Sequence, residues 1–126
     1  PELLGADYAL RSRPNIYFAG QMTGVEGYVE SAASGYVAGM AASLRASGRD
    51  MQPLPDVTMM GAMARYISVG GLGEFQPMNA NFGIIPPLEN RLKGGRRVRY
   101  AAYADRALEA LAGYDLMLPN GDPAAT

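Results

Sequence analysis

Apolar residues along the chain fall into a few short runs and one long stripe. Asn15-Ile16-Tyr17-Phe18-Ala19-Gly20 is an aromatic and β-branched run stopped by glycine, which predicts a short buried strand. Arg13-Pro14 leads into it, and proline is tolerated at the first position of a strand. Gln21-Met22-Thr23-Gly24-Val25-Glu26-Gly27 then reads as a loop. From Tyr28 to Ser47 the apolar positions return at steps of three and four: Val29, Ala32, Ala33, Tyr36, Val37, Met40, Ala41 and Leu44. That spacing predicts a long helix, closed by Gly48. Its neighbouring face, Ser31, Ser34, Gly35, Ala38, Gly39 and Ala42, is small enough for another backbone or a ligand to come close. Only Glu30 and Arg45 are charged, so this helix should be buried on most sides. One strand and two further helices are too little to bury it.

Beyond a proline-bearing connector, Met51 to Pro55, either Asp56 or Thr58 can cap a second helix over Met59 to Ile67. Met59, Met63, Tyr66 and Ile67 would form its inner face. Val69 to Glu74 reads as a glycine-rich loop. Phe75 to Leu88 mixes apolar residues with turn formers and predicts an ordered, irregular segment with one short strand near Phe82 to Ile85. A last helix is expected over Val98 to Ala112, ended by Gly113, and a disordered tail over Pro119 to Thr126.

Composition narrows the chemistry. The 126 residues suit one domain by length, and 48% hydrophobic content places the chain with globular proteins. It contains no apolar run long enough to span a membrane, and Pro1 to Gly5 does not resemble a signal peptide. A cytoplasmic location is the expectation. The lack of an initiator Met points to a truncated chain. There is no Cys and no His, which excludes thiolate and imidazole catalysis and the metal sites that need them. The formal net charge is -1, so any affinity for a polyanion must be local. Arg91, Lys93, Arg96, Arg97 and Arg99 supply such a locality, five cations in nine residues beside a Gly94-Gly95 turn. They are candidates for RNA phosphates; the alternative is a solvated helix start, although positive charge there opposes the helix dipole. Asp105 and Glu109 lie four apart beside Arg106 and read as surface charge.

The stretch from Phe18 to Gly35, FAGQMTGVEGYVESAASG, resembles the C-terminal flavin-binding signature of the folate- and FAD-dependent tRNA (uracil-5-)-methyltransferases. Phe75 to Leu88 resembles a second stretch of that family, and the order and spacing fit. The resemblance runs from about Arg11 to Leu111. The tRNA wobble-uridine flavoproteins share the Ala-Gly-Gln strand end and the Gly-Tyr helix start. They lack the Val25-Glu26 and Ser31 to Ser34 wording.

The resemblance implies an α/β fold. Residues 1–50 would be the C-terminal part of a Rossmann-type FAD-binding domain, and residues 51–126 a mostly helical extension. It implies FAD as cofactor, methylenetetrahydrofolate and NAD(P)H as co-substrates, tRNA as substrate, and the N-terminal part of the same enzyme as partner. The family's N-terminal glycine-rich fingerprint and its cysteines are absent here, so the chain alone is not expected to be catalytic. The implied flavin contacts are Gly20, Gln21, Thr23, Gly24, Glu26, Gly27, Tyr28 and Val29. This assignment has a physical basis. The first amides of a helix lack intrahelical partners and carry positive partial charge, which suits a phosphate or the electron-rich edge of a flavin. Glu26 and Glu30 are awkward beside such an edge and are expected to cap or orient the loop. A plain strand–helix turn with packing glycines is the other reading of the same residues. Phe75, Gln76, Met78, Asn79, Asn81 and Phe82 suit the lining of a site for a pterin or a base, or an ordered loop packed on the flavin domain. A non-catalytic module that binds RNA or protein stands as a different class of function.

Overall fold

In the computed structural model, residues 2–69 and 74–114 are described. The elements in chain order are β1 (Ala9–Leu10), β2 (Arg13–Tyr17), α1 (Tyr28–Ala46), α2 (Met59–Val69) and α3 (Arg96–Ala112), with 3-10 turns at Gln21–Thr23 and Phe82–Ile84. β1 and β2 form a two-stranded antiparallel hairpin. The mixture of helix and small sheet is compatible with the α/β class expected.

The strand departs from expectation. It starts earlier, and Arg13 to Ile16 are exposed, Ile16 at 36%. Among the described residues only the two-residue β1 pairs with it, and of its five residues Tyr17 is the one packed against the core. Phe18 lies beyond the strand, where its N–H donates to the Tyr8 carbonyl at 3.0 Å.

Helix α1 occupies the expected span and ends as expected. Gly48, at φ 75°, donates to the Arg45 carbonyl at 2.9 Å, and Arg49 donates back to Leu44 at 2.9 Å, so the last carbonyls are satisfied. Its buried face is rotated from the one predicted. Ser34, Val37, Ala38, Ala41 and Leu44 are buried, whereas Val29 is 80% and Tyr36 61% exposed. Small side chains at positions 34, 38 and 41 let the glycine loop and α2 approach the helix closely, and that contact selects the face. The opposite side is uncharged and open along Val29, Ala32, Gly35, Tyr36 and Gly39.

Thr58 caps α2: its hydroxyl accepts from the Gly61 N–H at 3.0 Å and donates to the Pro55 carbonyl at 2.7 Å. Asp56, the other capping candidate, pairs instead with Arg65 at 3.0 Å on the exposed side. Gly61 is required there, because a Cβ would strike the Pro55 carbonyl. Met63 and Ile67 face inward as expected, joined by Ala62, Ala64 and Ser68. Arg11 fastens the hairpin to the end of this helix by donating to the Ser68 carbonyl at 3.0 Å. The central cluster is Tyr8, Val25, Val37, Ala38, Met63, Ala64, Ile67 and Met78.

The expected strand near Phe82 is a 3-10 turn. The Asn81 side chain accepts from the Gly83 N–H at 2.8 Å, and that local cap favours the turn over an extended chain. Helix α3 starts at Arg96, two residues before the predicted Val98, and has no fully buried residue. Arg106 holds it to the Pro86 and Pro87 carbonyls. The tail over Pro119 to Thr126 and positions 70–73 of the glycine-rich loop lie outside the described residues.

Tyr8 is the largest of the fully buried side chains. It adopts φ 64°, which is uncommon for a residue other than glycine, and its N–H donates to the Gly5 carbonyl at 3.0 Å. Burial pushes its phenol from 10.0 up to about 12. The unfolded chain therefore ionises first as pH rises. Stability from this group is whole below about pH 10 and is lost toward pH 12. A two-unit shift corresponds to about 3 kcal/mol. Denaturant unfolding of the wild type should weaken by up to that amount across this window, and Tyr8→Phe should remove that part of the decline. An equal decline in both proteins would show that the Tyr8 phenol is not the group responsible.

Candidate functional site

The loop from Gly20 to Gly27 leaves the hairpin and enters α1. Gly20, Gly24 and Gly27 have φ of 77°, 101° and 97°, a region other residues rarely adopt. Two of them also permit close approach. A Cβ on Gly24 would overlap the Phe75 ring, and one on Gly27 would strike Glu30 Oε2 and lie 3.1 Å from Asn79 Nδ2. Internal hydrogen bonds fix the turn between them. The Thr23 hydroxyl donates to the Gly20 carbonyl at 2.7 Å, and the Gly24 N–H donates to Gln21 at 3.0 Å. Ser34, fully buried on α1, accepts from the Gly20 N–H at 2.7 Å and donates to the Ser31 carbonyl at 2.7 Å.

The segment around Met78 lies against this loop as one rung of parallel pairing with Val25. The Met78 N–H donates to the Gly24 carbonyl at 3.0 Å, and the Glu26 N–H donates to the Met78 carbonyl at 2.8 Å. Two side chains extend the join. Asn79 Nδ2 donates to the Glu26 carbonyl at 3.1 Å, and Glu30 Oε1 accepts from the Ala80 N–H at 3.0 Å. The Ala80 amide, then the Glu30 amide and the Asn79 side chain, hold the Glu30 carboxyl below its ordinary range. Glu30 thus orients the loop, as the sequence reading expects for it.

All eight residues named for the flavin loop fall in this one unit, with different exposures. Thr23 and Gly24 are buried. Gln21, Glu26, Tyr28 and Val29 are exposed, Tyr28 at 98%. Met22, at 74%, joins them on the open side. Gly27 is the N-cap of α1 with no side-chain cap, and the first helical bond runs from the Ser31 N–H to the Gly27 carbonyl at 3.0 Å. The amides of Tyr28 and Val29 therefore have no intrahelical acceptor. Sequence reasoning missed Ser34 as the anchor of Gly20 and Asn79 as the tie to Glu26. The one available signal for Ser34 was a hydroxyl on a face of small residues next to a glycine-rich loop.

Of the residues proposed to line a second site, Met78 is buried and Phe75 is half-buried, tilted on Tyr66 at 5.4 Å between ring centres. Gln76 accepts the Tyr66 hydroxyl on its carbonyl at 2.7 Å. Asn79, Asn81 and Phe82 are exposed. Arg91, Lys93, Arg96, Arg97 and Arg99 are all exposed, and the last three lie in the first turn of α3. An open pocket of about 560 Å³ lies between the start of α2, residues 86–92 and α3, and no loop residue lines it. Among the described residues no group of three or more His, Cys, Asp or Glu is placed to hold a metal ion. No helix among them is long and apolar enough to cross a membrane.

Residues 1–50 match the family described as glucose inhibited division protein A. The chain is also similar to proteins named methylenetetrahydrofolate–tRNA-(uracil-5-)-methyltransferase TrmFO. It is 50% identical over 111 residues to the one from Halalkalibacterium halodurans, 88% of this chain and 25% of that protein. It is 51% identical over 115 residues to that of an Exiguobacterium species, and 52% identical over 111 residues to that of Bacillus mycoides. Over most of its length the chain is similar to one segment of these TrmFO proteins. It spans about a quarter of the length of the curated relatives it matches. The TrmFO match takes in both the loop and the segment around Met78, the two stretches that the structure joins.

The join can be tested through Glu30. The amide proton of Ala80 should titrate with the Glu30 carboxyl in an NMR pH series, with a midpoint below the ordinary 4.5. The contribution of this contact is present above that ordinary value and is lost as pH falls through the depressed one. Glu30→Gln should abolish the titration of the Ala80 signal. An Ala80 resonance that does not move with pH would place the carboxylate elsewhere.

Proposed function

We propose that this chain supplies part of the flavin site of an enzyme with the TrmFO activity. That activity transfers a reduced methylene group from methylenetetrahydrofolate to uracil C5 in tRNA. The hairpin, loop and α1, within residues 1–50, would form the closing part of a Rossmann-type FAD domain, and residues 51–126 a helical extension. One observation carries the proposal: the glycine loop delivers the uncapped start of α1 to an open surface. Its amides and the helix dipole favour negative charge there. The positive-φ glycines let the loop turn tightly and pack on Phe75, Glu30 and Asn79. Gln21 offers an amide, and Met22, Tyr28 and Val29 offer apolar contact.

These features fit a planar, electron-rich ligand, and FAD is the one that the family implies. When bound, FAD would carry reducing equivalents from NAD(P)H to the folate-derived methylene. The chain's own residues would bind and orient. Thr23 and Ser34 hold the loop in shape, while Glu30 and Asn79 fix its exit. With no Cys and no His in the chain, a nucleophile or imidazole base for the reaction comes from outside these residues. The remaining three-quarters of such an enzyme is the partner we assign to the uncharged outer side of α1. The enzyme would act in the cytoplasm, where tRNA is modified.

A chimera tests this reading. The chain replaces the matching quarter of the Halalkalibacterium halodurans enzyme. The purified chimera should be yellow and should methylate uracil in tRNA with methylenetetrahydrofolate. In the chimera, Gly27→Val would push against Glu30 and Asn79 at a φ that valine rarely adopts, and it should release FAD while the protein stays folded. A folded chimera without flavin would overturn the proposal and favour a non-catalytic module. A flavin-bearing chimera that modifies the wobble uridine instead would move the chain to the related flavoproteins.

A further inference from the structure

Three features that are separate in the sequence meet at the start of α3. The first is a charge asymmetry: from Asn90 to Ala104 there are five cations and no Asp or Glu, in a chain of net charge -1. Among the described residues the ion pair is Arg65 with Asp56, so Arg91, Lys93, Arg96, Arg97 and Arg99 have no carboxylate partner. The second is a ring stack. Phe82 lies on Tyr100 with ring centres 4.4 Å apart and planes 14° from parallel, and on Tyr103 at 5.0 Å, tilted. The third is continuity with the flavin loop. Phe82 is two residues from Ala80, whose amide is bound by Glu30 at the start of α1.

The rings differ in how much is already covered. Tyr103 has Phe82 against it and the Arg106 guanidinium over its ring at 5.3 Å. Tyr100 has Phe82 alone among the described rings and guanidinium groups, and it keeps 38% of its surface open. Arg96 stands one turn before Tyr100 on the same helix face, and Arg97 and Arg99 flank it. A partly exposed ring at the end of an existing stack, on a helix turn that carries three arginines without a carboxylate partner, matches the chemistry of an unstacked base and its phosphates. A membrane surface or an acidic protein would use the charges but has no need of an extended stack.

We propose that Tyr100, backed by Phe82, stacks on an unpaired base of single-stranded RNA while Arg96, Arg97 and Arg99 bind the adjoining phosphates. The proposal rests on the tRNA-modifying reading above and names where a tRNA loop would be held. Phe82 links this stack along the chain to Ala80, whose amide Glu30 binds at the start of α1.

The 126-residue chain can be titrated with a short single-stranded RNA carrying 2-aminopurine, with a hairpin of the same strand, and with anionic phosphatidylglycerol vesicles. The single strand should bind best, and stacking should quench the 2-aminopurine. Tyr100→Phe should bind within about twofold of wild type, because the ring remains. Tyr100→Leu should bind about 5- to 100-fold more weakly and lose the quench, the range that one base stack provides. Circular dichroism checks that α3 persists in the variant. If it does not, the wild-type quench and the Tyr100→Phe variant decide alone. The double variant Arg96→Gln, Arg97→Gln should make the slope of log affinity against log salt shallower by roughly one to two units. Unquenched 2-aminopurine in saturated wild-type protein, or full affinity in folded Tyr100→Leu, would overturn the stacking. Vesicle binding without RNA binding would overturn the choice of partner. None of these outcomes touches the flavin chimera, so the two proposals fail separately.

Discussion

One rung of backbone pairing organises the structure. The Gly24 carbonyl and the Glu26 N–H grip the Met78 N–H and carbonyl, 53 positions apart counted from Val25 to Met78. Closing a loop that long costs conformational entropy, and two backbone bonds alone offset little of it. The rung holds because of what it brings together. Val25 and Met78 bury their side chains in the core between Val37, Met63 and Ile67. Asn79 and Glu30 add hydrogen bonds on the outer side. Removing the rung would therefore separate the glycine loop from the segment that carries Phe82, and with it the surface of α3 from the start of α1.

Long regular elements were legible in the sequence, and their faces were less so. The span of α1 followed from its spacing and from Gly48, and the cap of α2 was narrowed to Asp56 or Thr58, of which the structure selects Thr58. Val37, Ala41 and Leu44 of the predicted stripe are buried, but the face is rotated because an apolar count also favours Val29 and Tyr36, whereas contact with α2 and the loop selects the small residues Ser34 and Ala38. Hydrophobicity reports how much a residue gains from burial, and close approach depends on how little room it takes. The same limit hid the exposure of the strand: Ile16 looks like a core strand residue, but a strand is buried only by neighbours, and a single sequence does not say how many there are.

The candidate site was legible as a list and not as an arrangement. All the loop residues named from sequence lie together, yet the distinction between Thr23, which shapes the loop from within, and Tyr28, which faces outward, depends on the turn at Gln21–Thr23. Ser34 and Asn79 act on the loop from 14 and 53 residues away, to Gly20 and Glu26 respectively. Polar side chains that satisfy distant backbone groups leave no periodic trace, because one such bond needs only one residue of the right length.

Electrostatics separates the two ends of this surface. At the start of α1 the helix dipole and free amides are positive, and the carboxylate in the first turn, Glu30, is turned to the Ala80 amide, which favours its ionised form. That arrangement stabilises the helix start without a side-chain cap on Gly27. It also keeps a negative group beside the position where an electron-rich ring would rest, which favours contact through the amides of Tyr28 and Val29 over contact at Glu30. At the start of α3 the sign of the side chains is reversed: Arg96, Arg97 and Arg99 sit where the dipole is already positive, with no acid in the first turn to offset them. Like charges so placed cost helix stability. An anion at that surface would relieve both the dipole and the mutual repulsion of the guanidinium groups. The helix that carries these charges has no fully buried residue and is held to the Pro86 and Pro87 carbonyls through Arg106, so its charged start stays free of the core.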